Sequence, residues 1–167
     1  MNIELFLPVI FLLVIAIFIT FFLLTKMNDK AKKRIFIFIP IVLLLAFAMT
    51  YIPHSVVSME PNKVSKITIF DGNTGYDIEI TDEDQIDHII TNLNAVTFQK
   101  GKSSFGYMGY SFRTTIYNQK RKRLKDFIIN SNDTIRYKGF FYTDKAQSID
   151  YDYIKDLISE KIKSETN

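Results

Sequence analysis

Five positive charges, Lys26, Lys30, Lys32, Lys33 and Arg34, fall between two long runs that carry no charge, Leu5 to Leu24 and Ile35 to Ile52. A helix advances about 1.5 Å per residue, so runs of this length reach about 27–30 Å, close to the hydrocarbon thickness of a bilayer. The pattern predicts an N-terminal two-helix transmembrane hairpin, with spans near 5–24 and 35–52 and a loop at 25–34. Basic residues are retained on the cytoplasmic side, and the next one after the second run is Lys63. The five charges therefore act as topology determinants. They put the loop inside and both termini outside a multi-pass protein of the cell membrane, with the lipid bilayer as its first partner.

Two other readings of the runs fit less well. A cleaved signal peptide calls for a basic start and a shorter apolar core, whereas the residues before Leu5 include Glu4 and no Lys or Arg. A buried core hairpin would need a shell that the rest of the chain can hardly supply. Pro8 falls early in the first run, where a missing N–H matters little, and Pro40 can kink the second. Ala16 with Thr20 and Ala46 with Thr50 are small pairs at helical spacing, yet they are not level in an antiparallel hairpin. No ionisable residue lies in mid-run, which argues against a channel or proton relay.

Charge has to be divided by segment. The chain carries +3 overall, but residues 54–167 hold 16 basic and 16 acidic residues, so the excess comes from the loop. A nucleic-acid partner is not expected from that balance. The absence of cysteine excludes disulfides, thiolate metal sites and thiol nucleophiles.

Beyond the runs, residues 54–62 read as a linker between Pro53 and the first strand, and 63–167 as one extracytoplasmic domain. Val64 to Phe70 and Tyr76 to Ile80 alternate around the turn cluster Asp71 to Gly75, predicting a hairpin. Thr81 is placed to cap a helix whose apolar stripe is Ile86, Ile89, Ile90 and Leu93. Further strands are predicted at 96–99, 107–117, 124–129, 134–137 and 140–142, and a closing helix near 150–163. The order β-β-α-β-β-β-β-β-α predicts an α+β fold, a mainly antiparallel sheet with two helices.

Candidate chemistry is sparse. Asp71 to Glu79 resembles the start of a calcium loop, but Tyr76 stands where glycine is needed and Asp82 where glutamate is needed, so a hairpin turn is the better reading. Lys120, Arg121, Lys122, Arg123 and Lys125 form the one dense charge run of the domain. It reads as a solvated hairpin tip or as a contact for an anionic surface, such as a wall polymer or lipid headgroups. Phe105, Tyr107 and Tyr110 lie in an aromatic, glycine-rich stretch that can contact a ligand or partner, with a strand and its bulge as the plainer explanation. His54 and His88 have no partner at catalytic spacing, and no nucleophile, phosphate-loop or metal motif occurs. Asn132 to Thr134 is a glycosylation sequon of little weight. No cofactor, metal site or catalytic residue is expected.

Ile67 to Gly72, Ile80 to Ile86 and Tyr142 ahead of a closing helix give the stretch 64–160 a resemblance. It resembles the small membrane-anchored proteins of Gram-positive bacteria that carry an extracytoplasmic α+β domain. The resemblance implies no activity. The expected function is a non-catalytic binding, sensor or accessory module, with a subunit of a larger membrane complex, an immunity-type protein or a cell-surface enzyme as alternatives.

Overall fold

A computed structural model of the chain describes residues 15–22, 25, 29–109, 111–146 and 148–166. The chain divides into two units, residues 1–52 and 53–167.

In the first unit, residues 15–22 are helical and helix α1 spans Lys30–Met49. The helix begins inside the basic cluster, so Lys30, Lys32, Lys33 and Arg34 occupy its opening turns. Its uncharged part is Ile35–Met49, which at 1.5 Å per residue is about 22 Å, short of the roughly 30 Å of a bilayer core. Beyond Met49 the chain tightens into three-residue turns, with the Thr50 N–H donating to Phe47 O at 3.0 Å and the Ile52 N–H to Met49 O at 3.2 Å. Among the described residues no helix is long and apolar enough to cross a membrane. This corrects the two-span transmembrane hairpin, the cell-membrane address and the outside placement of both termini. Lys26 and most of the run Leu5 to Leu24 lie outside the described residues.

Within this unit, Ala16 and Thr20 do face α1. Together with Ile17 and Phe21 they meet Ile37, Pro40, Ile41 and Leu44 across an apolar cavity of about 350 Å³. The other faces are apolar too: Phe18, Phe38 and Leu43 are exposed.

The second unit contains β1 (Val64–Asp71), β2 (Asp77–Ile80), α2 (Glu83–Ala95), β3 (Gln99–Ser103), β4 (Phe112–Asn118), β5 (Arg123–Ile129), β6 (Thr134–Tyr137), β7 (Phe140–Thr143) and α3 (Tyr151–Thr166). The strands form one antiparallel sheet in the order β2-β1-β4-β5-β6-β7-β3. The α+β class is therefore as the sequence pattern predicts. Period-two alternation puts Ile67, Ile69, Ile78 and Ile80 on one face, where the α2 stripe Ile86, Ile89, Ile90 and Leu93 covers them. Ile154 and Ile158 of α3 complete this layer. Val56 and Val57, in the stretch 54–62, are buried in the same core, and the backbone of His54 bridges Phe98 just ahead of β3.

The strand order has one consequence for the outer face, away from the helices. β3 lies at an edge and β4 near the middle, so the connection 104–111 must cross β7, β6 and β5. Four strand spacings make about 19 Å, and eight extended residues reach about 27 Å, so the crossing is feasible with little slack. The long strand expected over 107–117 therefore starts only at Phe112. Met108, placed with Phe112 on one face by alternation, is instead in the crossing loop and exposed.

Candidate functional site

The crossing loop is shaped from beneath by Arg136, in the middle of β6. Ile135 beside it faces the core, so Arg136 faces outward, in a cross-strand row with Phe141 on one side and Ile128 and Arg113 on the other. The loop lies over this row and buries Arg136 to 8 % exposure. The guanidinium donates to Tyr107 O at 2.8 Å, to Gly109 O, and through Nε to Asn130 Oδ1 at 3.1 Å. Burial, and next the neighbouring Arg113, lower its pKa from the usual arginine value.

Other contacts fix the loop's ends. Tyr107 stands edge-on to Phe141 with ring centres 5.1 Å apart, and its hydroxyl accepts from Lys102 Nζ at 2.7 Å. The Ser104 N–H donates to Gly139 O at 2.9 Å. Gly106 takes φ +82°, a left-handed conformation that suits glycine. The result is a defined loop that turns two large apolar side chains outward. Phe105 is 94 % exposed and Met108 is 87 % exposed. Of the three aromatic residues singled out in the sequence, Phe105 is at the tip, Tyr107 is the loop's anchor and Tyr110 lies outside the described residues. Met108 was missed, because it read as a core residue of a strand.

The basic run is split. Asn118 Oδ1 accepts the Lys120 and Lys122 N–H groups at 3.0 and 2.9 Å, and Arg121 takes φ 57°, closing the β4–β5 turn. Lys120, Arg121 and Lys122 are exposed at the tip. Arg123 pairs with Asp126 at 3.0 Å. Lys125 turns inward, donates to Val56 O and lies 5.0 Å from the centre of the Tyr137 ring. The five cations therefore do not form one patch.

His88 lies 2.9 Å from Asp150 and against the Tyr153 ring, with centroids 4.1 Å apart. Asp84, Asp87, Thr91 and Asn92 line the same cleft. One turn along α2, Asn92 donates to Ser148 O at 2.8 Å and accepts the Asp150 N–H at 3.0 Å. His88 and Asn92 thus clamp α2 to the start of α3. Burial, then the carboxylates of Asp82 and Asp150, hold the Tyr153 phenol above its usual range. Asp71 is occupied by its own turn, accepting from Asn73 N–H at 2.9 Å and Thr74 Oγ1 at 2.7 Å. Among the described residues no group of three or more histidines and carboxylates is placed to hold a metal ion.

Comparison of the chain with protein-family models, with curated proteins and with solved structures finds no match.

Proposed function

We propose that the second unit is a non-catalytic binding module that seizes a protein partner with the loop 104–109. The observation that carries this is the display of Phe105 and Met108 on a loop held by Arg136. Exposed apolar side chains are ordinary when scattered singly, but two large ones on a preformed tip suit insertion into a partner's pocket. Methionine adapts to irregular apolar surfaces, and a preordered loop loses less conformational entropy on binding. A photo-crosslinking residue at position 105, introduced in the producing cells, should give one discrete adduct, and the same residue at exposed Asp156 should not. Replacing both Phe105 and Met108 by serine should lower partner recovery at least about tenfold, the scale of a binding hot spot. No adduct above the position-156 background would sink the proposal.

The outward apolar side chains of residues 15–22 and α1 favour a second reading, a subunit of a larger assembly. A helix apolar on all sides is normally covered. Sizing of the full chain against residues 53–167 tests it: the full chain should run as a multimer or bound to companions, and the shorter piece as a monomer.

A further inference from the structure

The β4–β5 tip borders a cleft of about 980 Å³ between the segment Ser58–Lys63, the end of α2 at Asn94, and Asn118, Lys120 and Leu124. A second cleft of about 570 Å³ adjoins it, and Asn62 and Gln119 line both. The two differ in charge. In the first, Lys63 is paired with Glu60 at 3.0 Å and Lys125 is turned to Val56 O. Lys120 remains at the mouth, with Arg121 and Lys122 in the same turn, and none of the three has a carboxylate partner among the described residues. In the second, Glu83, Asp84 and Asp87 line the wall with no lysine or arginine among the described residues.

We propose that these adjoining clefts take a peptide segment of mixed charge, its acidic residues beside Lys120 and its basic residues beside Asp84 and Asp87. A polyanion is attracted by the first cleft and repelled by the second, and a polycation meets the reverse. Only a ligand carrying both signs gains at both ends, which is the kind of discrimination that charge complementarity provides. The boundary between the clefts is neutral. Asn62 and Gln119 are exposed there, and a carboxamide both donates and accepts, as a peptide bond does. The site is separate from the loop 104–109, so it stands or falls independently of that loop's partner.

The test uses the full chain and four labelled hexapeptides, followed by fluorescence anisotropy at low and moderate salt. One peptide has two aspartates, two glycines and two lysines in that order; the others are its reverse, an all-acidic peptide and an all-basic peptide. A mixed peptide should bind at least about tenfold more tightly than either single-sign peptide, and salt should weaken it. Lys120→Glu and Asp87→Lys should each weaken the preferred mixed peptide about tenfold, whereas the double variant should regain binding with a preference for the reversed order. Lys120→Gln and Asp87→Asn, gentler changes at exposed positions, should each give a smaller loss in the same direction. Equal or tighter binding of the all-acidic peptide, or of polyphosphate, would overturn the proposal. So would the absence of binding by both mixed peptides, or indifference to all four substitutions.

Discussion

Arg136 on β6 holds the carbonyl oxygen of Tyr107 at 2.8 Å, and this bond ties a loop that enters from one edge of the sheet to the strand it crosses. The same guanidinium reaches Gly109 and Asn130, so three acceptors depend on one planar donor. Lysine offers a point charge without the fork. Arg136→Met should destabilise the domain by about 2–3 kcal/mol, because hydrogen bonds from a charged donor are lost and their acceptors stay covered. Arg136→Lys should recover only part of that loss. Hydrogen exchange should place the change: amides of 104–109 lose protection in both variants while those of α2 keep theirs. Equal exchange in the loop of wild type and Arg136→Met would contradict the stapling role.

Thr114 presents the opposite case. It lies on the core face of β4 between Phe112 and Ile116, fully buried, and its hydroxyl has no hydrogen-bond partner among the described residues. A buried hydroxyl left unpaired is destabilising, and valine has nearly the same shape. Thr114→Val should therefore raise stability by about 1 kcal/mol, read as a higher urea midpoint with an unchanged slope. A lower midpoint would mean that the hydroxyl has a water or a strained partner in solution.

Local periodicity made most of the second unit legible. Ile67, Ile69, Ile78 and Ile80 alternate, and Ile86, Ile89, Ile90 and Leu93 repeat at helical spacing, so their elements and inward faces followed directly. Strand order is not a local property. Nothing between Ser104 and Ser111 states that β3 lies at the far edge, so Met108 and Tyr110, in phase with Phe112, read as strand. The only charge in the four-residue strand β6 is Arg136, and sequence alone gives no sign that the loop covers it. Lys125 was legible, being in phase with the buried Phe127 and Ile129 and hence turned inward. The second apolar run misled for another reason. Hydropathy counts residues, whereas a span is set by helix limits, and α1 starts at Lys30 and ends at Met49.

The start of α2 shows how far capping rules reach. Thr81 and Asp82 are both good caps by residue type, and the sequence pattern favours Thr81. Asp82 is the cap: its carboxylate accepts the Gln85 N–H at 3.0 Å, and its own backbone is extended. A carboxylate has the further advantage of the positive end of the helix dipole. Asp82→Ala should cost about 1 kcal/mol, and Thr81→Ala, at an exposed position outside the helix, less than about 0.5 kcal/mol. Thermal unfolding of the two variants decides between them, and a larger loss for Thr81→Ala would return the cap to that residue.

Two carboxylates near the end of the sheet should govern acid stability. Asp133 accepts from Ser131 Oγ at 2.6 Å and Thr134 Oγ1 at 2.7 Å, which hold it below the usual carboxylate range. Burial pushes Asp144 up, but the Ser148 and Ala146 N–H groups at 2.9 and 3.1 Å outweigh it, and the net direction is again down. Both folded values lie below the unfolded one of about 3.9, so the unfolded chain takes up protons first as the pH falls. The stability these groups contribute is complete above about pH 5 and is lost on the way down through their folded values. Urea unfolding between about pH 6 and pH 3 should therefore show a steeper loss in the wild type than in Asp144→Asn or Asp133→Asn, whose amides do not titrate. The variants should be less stable near neutral pH and approach the wild type in acid. Parallel curves for all three proteins would show that neither carboxylate is held in its charged form by the fold.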